Sequence, residues 1–409
     1  MAVRPGSDLI RRRWTTDKLL SKSSVSFFAP YTGKDSNSII YQESDGTCKE
    51  GHTVVFDFSA YLTGKSTRGS GEANSKSENK RKFSDKLTVD MFSWYVNNGS
   101  KFEACDIGDL ELPQHESSVS DLGDLYIRHR DQARFDTLQG ATIDAGAPSH
   151  VFYLGNDFSW DDCLDIENAA KKGTGLFKTT NGIVSTELAP KRAPLKGWKT
   201  HNGTPVFLAI IDNVMATSLK KDPKYQLIKM NADVRGNNNS LISGLLGKES
   251  NVLYVEAPVF FGLTSPGEFR IMDDTELEFS GLRRYAVGKE GKQIWEGQPG
   301  FDAIEALSID EKAIIDAETD VGVKNELIKN RENKVYSRGL LLGAGASREA
   351  FGQMPKYDVE WTKFKKTSES MLEIIYNTAK TNLSVEMGSD YAGKVSDIDF
   401  GVIALDMEN

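Results

Sequence analysis

The sequence predicts an α+β fold. Three observations carry that expectation. Two runs, 53–62 and 86–96, alternate apolar and polar residues with period two; residues 116–142 read as one long helix; and the later strands and helices follow no regular βαβ order. The 409 residues suffice for two or three domains or one elaborate one, and a composition of 39% hydrophobic and 27% charged residues is ordinary for a globular protein.

Residues 1–47 read as an arm. Arg11, Arg12, Arg13 and Trp14 open a short amphipathic stretch reaching Leu20, and Phe27, Phe28 and Tyr31 stand out in the polar segment that follows. Such a segment has little to bury against itself and is expected to lie on something else. No apolar region follows the basic residues, so the N-terminus does not read as a secretory signal.

A long hairpin comes next. Val54, Phe56, Phe58, Ala60 and Leu62 share one side of the first strand, and Leu87, Val89 and Met91 alternate with Thr88, Asp90 and Phe92 on the second. Its tip, 63–82, carries Lys65, Arg68, Lys76, Lys80, Arg81 and Lys82 against Glu72 and Glu78, with Ala73 its one aliphatic residue. Two readings of that tip stand side by side: a loop that acts on something outside its own domain, and a disordered, solvated loop. Gly64, Lys65 and Ser66 match the end of a phosphate-binding P-loop. Ser59 stands where that loop needs a glycine, and no apolar residue at helical spacing follows Lys65, so nucleotide binding has little support.

Pro113 breaks the chain before the helix at 116–142, where Val119, Leu122, Tyr126, Ala133 and Leu138 form an imperfect apolar stripe. Arg128, His129, Arg130 and Arg134 read as a solvated helix face unless a partner covers them. Ser159 and Asp162 resemble a capping box that starts a helix over 160–172. A buried strand is expected at 204–212, a helix at 213–221 ending before Pro223, and a strand at 251–262 in which Pro258 marks an edge or bulge. A charged helix is expected over 310–331, an apolar helix or turn over 339–352, and strands at 356–364 and 398–405.

The residues for chemistry are sparse. The five histidines have no metal-ligand spacing, and no G-x-S-x-G elbow is present. Asp161 and Asp162 are explained by the cap, Asp397 and Asp399 read as a solvated strand edge, and the glycines of 288–293 lack the helix of a dinucleotide site. Cys48, Cys105 and Cys163 form neither a disulfide framework nor a zinc site and fit a reducing cytoplasm. No apolar run approaches a membrane span. A net charge of −9 argues against a dedicated nucleic-acid reader, though not against a protein that encloses nucleic acid already neutralised by counterions. No catalytic residue, cofactor or metal site is expected.

Several segments, in order, resemble one family: "RRRWTTDKLL", "FFAPYTGKDSNSIIYQ", "KEGHTVVFDFSAYLTGKSTRGSG", "LGDLYIRHRDQARFDTLQGA", "GWKTHNGTPVFLAIIDNVMATSLKKDPKYQ", "NADVRGNNNSLISGLLGKESNVLYVEAP", "RGLLLGAGASREAFG" and "DIDFGVIALD". The family is that of the phage major capsid proteins grouped with the coat protein of phage N-four. The resemblance implies the Hong Kong 97 coat fold and a major capsid protein of a tailed double-stranded-DNA bacteriophage. Under it, 1–47 is the N-terminal arm, 48–100 the extended E-loop, 101–189 a P-domain with its spine helix, 190–350 an A-domain, and 351–409 a return to the P-domain. Assembly contacts are expected from Phe56, Phe58, Lys65, Arg68, Lys80, Arg81 and Lys82 of the E-loop; from Arg11, Arg12, Arg13, Trp14, Phe27 and Phe28 of the arm; and from Arg128, Arg130 and Arg134 of the spine helix.

The implied partners are other copies of the chain in pentamers and hexamers, a portal, a separate scaffolding protein, a decoration protein, and double-stranded DNA enclosed without sequence reading. The implied location is the virion capsid, assembled in the host bacterial cytoplasm. Two departures stand out: the tip is basic and serine-rich where the family has a more acidic run, and 265–335 is longer than the family core, as an insertion would be. The alternatives are a minor virion or host-binding protein and, on Gly64-Lys65-Ser66 alone, a nucleotide-dependent enzyme. On residues alone, a hairpin with an apolar face and no local core needs another surface, which a second copy of the chain would supply.

Overall fold

The computed structural model describes residues 26–44, 49–59, 82–100, 114–141, 148, 150–172, 195–201, 204–227, 245–249, 251–260, 279–362, 367–382, 385–387 and 399–409. In chain order, a 3-10 turn leads into β1 (Thr32–Gly33) and β2 (Ile40–Ser44), then β3 (Thr53–Ser59), β4 (Lys82–Thr88) and β5 (Asp90–Ser100). The long helix α1 (Gln114–Gln139) is followed by β6 (Val151–Gly155), α2 (Trp160–Lys172), β7 (Lys199–His201), β8 (Thr204–Ile211) and α3 (Asn213–Lys221). Next come β9 (Leu245–Glu249), β10 (Val252–Glu256), β11 (Val259–Phe260), β12 (Phe279–Ser280), β13 (Tyr285–Val287) and β14 (Gln293–Trp295). Helices α4 (Phe301–Ala317) and α5 (Val321–Asn330) precede β15 (Lys334–Leu342), β16 (Ser347–Thr362), β17 (Thr367–Lys380), β18 (Val385–Met387) and β19 (Val402–Glu408).

Two large sheets organise these elements. A five-stranded sheet runs β1-β2-β16-β17-β5; a nine-stranded sheet runs β14-β13-β15-β8-β10-β9, with β19 and β6 continuing beside β15 and β7 beside β8. Strands of the second sheet are apolar on both faces. Phe207, Ala209 and Ile211 point into one core with α2 and α3, while Leu208 and Ile210 point into another with Phe28, Phe135 and Leu138. Burial on both faces gives the continuous apolar run "VFLAII", which reads correctly as a strand. The final strand β19 joins this sheet between β15 and β6, whereas β16 and β17 lie in the other.

The chain crosses from one sheet to the other in the four residues between β15 and β16. Gly345 sits there at φ 70°, and Gly401, at φ 80°, lies so close that an added Cβ would meet the Ala346 Cα at 2.8 Å. The stretch 339–352, expected as an apolar helix or turn, is a strand, a glycine turn and a second strand. Its apolar density reflects burial on every side and not a helical stripe. The expected charged helix at 310–331 begins earlier and is two helices. Glu318 and Thr319 intervene, and Asp320 caps α5 by accepting from the Gly322 and Val323 amides at 2.7 and 3.1 Å. The run at 251–262 breaks at Ala257–Pro258 into β10 and β11.

The hairpin is present at its root. β3 pairs antiparallel with β4, from Thr53↔Thr88 to Ser59↔Lys82. The apolar alternation then changes phase at Val89, where the ribbon ends. Leu87 and Val89 are buried, Met91 is exposed, and Trp94 is buried on the opposite face because β5 has passed into the five-stranded sheet.

Candidate functional site

Three extended segments converge on one short stretch, Ser347–Phe351 at the start of β16. Its side chains alternate between the two faces of the five-stranded sheet. On one face, Ala350 joins Ile375 beneath the hairpin root, where Phe56, Leu87 and Val89 are buried and Tyr41 meets Phe56 edge-on at 5.9 Å. Arg348 lies on the same face, 5.5 Å from the Phe56 ring centroid, and pairs with Asp85 of β4. Asp85 also accepts the Asn382 amide at 2.9 Å, so one carboxylate ties the hairpin root to β16 and to the end of β17.

On the other face, Glu349 and Phe351 meet α1. The Glu349 carboxylate is fully buried. It accepts two bonds from Arg130, from Nε and Nη2 at 2.7 Å each, and one from Arg134 Nη2 at 2.7 Å. Burial alone would raise the Glu349 pKa, but the attraction of Arg134 and the hydrogen bonds of Arg130 overcome it and hold the carboxyl below its usual value. Arg130 also stacks over the Phe351 ring at 4.9 Å. Arg134 reaches back to Asp131 at 2.9 Å. Asp131 in turn accepts the Ser26 hydroxyl at 2.8 Å and the Phe27 amide at 2.6 Å, which pins the arm where it meets the helix. Phe27 and Phe28 then pack on Phe135, with ring centroids 5.5 and 4.7 Å away.

The C-terminal end of α1 has a second buried network. Asp136 accepts from Gln132, Gln139 and Arg283 at 2.7–3.0 Å. Arg338 forks onto Asp406 at 2.7 and 2.8 Å and donates to the Gln139 carbonyl at 3.0 Å, satisfying a helix end that would otherwise be orphaned. Tyr285 donates to the same Asp406 at 2.8 Å. His129, fully buried beside Trp94, has its pKa lowered to about 4 by burial and by the nearby Arg128.

These placements correct several expectations. The basic side of the helix is not a solvated face: His129 is buried beside Trp94, Arg134 is buried, and Glu349 from β16 meets both Arg130 and Arg134; Arg128 and Arg130 stay partly open, and Arg128 pairs with Asp124 on its own helix. Phe56 and Phe28 are not contacts held out for another molecule: each is buried in its own chain, and Phe27 packs beside Phe28. The hairpin root thus finds its surface within the chain. Val119 is exposed and drops out of the expected stripe, while Leu125 and Phe135 belong in it. Asp399 is a buried partner of Lys380 at 2.9 Å and not a solvated edge. Phe58 and Lys82 lie in the paired strands β3 and β4. Arg11, Arg12, Arg13, Trp14, Lys65, Arg68, Lys80, Arg81 and Asp397 fall outside the described residues, as does the Gly64-Lys65-Ser66 fragment.

Sequence reasoning missed Asp85, Asp131, Arg348 and Glu349, which hold the segments together. The one local signal was the charged pair Arg348-Glu349 inside an otherwise apolar run. Among the described residues no cluster of three metal-ligating side chains occurs, and no helix is long and apolar enough to cross a membrane.

No protein-family model matches the chain, and no curated protein matches it significantly. Solved structures do. The chain is similar to the acidic stable capsid structure of Helicobacter pylori bacteriophage KHP30, with a TM-score of 0.61 and 16% identity over 100% of this chain and 95% of that one. It is similar to the head structure of Helicobacter pylori bacteriophage KHP40 at a TM-score of 0.62 and 16% identity, covering 100% and 96%. It is likewise similar to the capsid of Ralstonia phage GP4 at 0.59 and 16%, covering 100% and 97%. At such identities the shared property is the fold: this chain has an α+β fold of the kind found in phage capsid chains.

Proposed function

We propose that this chain is the major capsid protein of a tailed double-stranded-DNA bacteriophage, with a structural and not an enzymatic role. One observation carries the reading: the whole chain matches nearly the whole of several phage capsid chains. In this reading the fold is of the Hong Kong 97 type, in the branch typified by phage N-four. The β3–β4 ribbon is the root of the E-loop, α1 is the spine helix of the P-domain, and residues 26–44 are the inner end of the N-terminal arm. The five-stranded sheet with α1 forms the body of the P-domain, and the A-domain supplies β7–β10 and β13–β15 of the nine-stranded sheet, which β6 and β19 join from the segments assigned to the P-domain. Copies assemble into pentamers and hexamers of a shell that encloses DNA without reading its sequence, in the host cytoplasm, with a portal and a separate scaffolding protein as partners and a decoration protein as a further one.

The anchoring pattern supports this. An arm and a ribbon fixed firmly at their roots, by Asp131 and by Asp85, are suited to present their outer parts to neighbours. Negative-stain microscopy of the purified protein under assembly conditions tests the proposal. Closed particles of uniform size are expected; a monodisperse small oligomer under all such conditions refutes it.

A further inference from the structure

Helix α4 buries one side, α5 has no fully buried residue among those described, and each carries an exposed apolar stripe. On α4, Phe301, Ser308 and Ile315 face inward, while Leu307 and Ile314 are 52% and 62% exposed. On α5, Val321 and Ile328 are 73% and 49% exposed. Exposed large apolar residues are normal singly, but a concentration of them marks a contact surface. The two stripes share a pattern. Leu307, Asp310 and Ile314 follow one another at spacings of three and four; Val321, Lys324 and Ile328 do the same. These spacings put all three residues of each set on one helix face. Each stripe is therefore two apolar side chains about 10 Å apart along the axis with a charge between them, acidic on α4 and basic on α5.

We propose that the α4 stripe of one copy docks against the α5 stripe of a second copy of this chain. Charge decides the pairing. Two α4 stripes would set Asp310 against Asp310, and two α5 stripes Lys324 against Lys324, whereas α4 on α5 sets Asp310 against Lys324 between matching apolar residues. In its own chain Lys324 lies 3.8 Å from Asp316, an exposed contact of little worth that a neighbour's Asp310 replaces. Two different patches make the contact head-to-tail, so it repeats around a ring and closes where the rotation allows. A patch of two helical turns is weak alone and gains strength from repetition around the ring. The inference rests on the shell reading only for that setting.

The test uses full-length protein, with native mass spectrometry and light scattering to read self-association. Asp310→Lys and Lys324→Asp should each weaken it about tenfold or more, and the double exchange Asp310→Lys/Lys324→Asp should restore it. Leu307, Asp310, Ile314, Val321 and Ile328 are exposed and Lys324 is half-buried, so folding should be spared, which the far-ultraviolet circular dichroism of each variant checks. A chain carrying Leu307→Glu and Ile314→Glu, mixed with one carrying Val321→Glu and Ile328→Glu, should give one-to-one pairs that neither forms alone. The inference is overturned if the charge exchanges leave association unchanged, if Asp310→Lys alone strengthens it, or if the mixture behaves as its components. Microscopy of the same samples separates the two claims. Wild-type shells indifferent to these changes remove the docking and leave the capsid reading, whereas small rings that obey the charge exchange without ever closing into shells remove the capsid reading and leave the docking.

Discussion

Replacing Glu349 by alanine removes the one carboxylate that serves both Arg130 and Arg134 on the strand side of α1. Three charge-assisted bonds of 2.7 Å are lost together. Arg134, whose side chain is 1% exposed, keeps Asp131; Arg130, at 18%, loses its carboxylate and is left against Phe351 and Tyr126. Breaking a buried pair costs about 3–5 kcal/mol, because the surviving charge stays desolvated. Glu349→Gln keeps the shape and one acceptor oxygen and should fall at the lower end of that range. A Glu349→Ala/Arg130→Met double variant should cost less than the sum of its single changes, because the orphaned cation is gone. The assay is urea unfolding of unassembled protein, followed by tryptophan fluorescence; the midpoint should drop while the slope stays constant. A loss below about 1 kcal/mol for Glu349→Ala, or strict additivity in the double variant, would falsify the account of Glu349 as the clamp between helix and sheet.

His129 makes stability sensitive to acid. Its folded pKa is lowered to about 4 against about 6.5 for an unfolded histidine, so the unfolded chain takes up the proton first as pH falls. Its contribution is complete above about pH 6.5 and is lost as pH falls toward about 4. Between pH 7.5 and 5 the loss is about 2 kcal/mol, and His129→Gln should abolish that part of the slope in unfolding titrations. The Glu349 carboxyl, also lowered, acts in a more acidic window. Its contribution is present above the ordinary carboxylate value of about 4.3 and is lost as pH falls through its folded value, so wild type should lose more stability than Glu349→Gln below about pH 4. Asp85→Ala strands the Arg348 guanidinium at the hairpin root and should speed amide exchange of β3 and β4 while β8 and β15 stay protected; uniform protection would argue against a separate anchor there. Deleting residues 63–81 leaves β3 and β4 whole and should permit folding but impair shell formation, and particles of normal size and stability from that variant would contradict the E-loop assignment.

Elements whose signals are local were legible in the sequence. Ser159 and Asp162 cap α2 as the spacing indicates, with the Ser159 hydroxyl donating to Asp162 at 2.7 Å. The apolar run at β8 and the stop of α3 before Pro223 are also local facts. What failed depends on partners far along the chain. Glu349 lies 215 residues from Arg134, so nothing beside Arg134 marks it as buried. Residues 131–139 of α1 are buried almost all round, which erases the stripe that separates an inner from an outer face. Phe28 reads as a spare aromatic because Phe135, the ring that covers it, belongs to another element. The alternation of Arg348 and Ala350 with Glu349 and Phe351 is a strand pattern in which both faces are interior, so polarity does not betray the period.

The glycine turn between β15 and β16 has a mechanical consequence. Four residues join the two large sheets, and Gly401 wedges against them with no room for a methyl group. Such a joint is a weld and not a hinge, and it should resist change in the angle between the two slabs. On the capsid reading proposed above, a shell that needs both flat and bent neighbourhoods would draw its curvature from the rim of each tile, where arm and ribbon join the body.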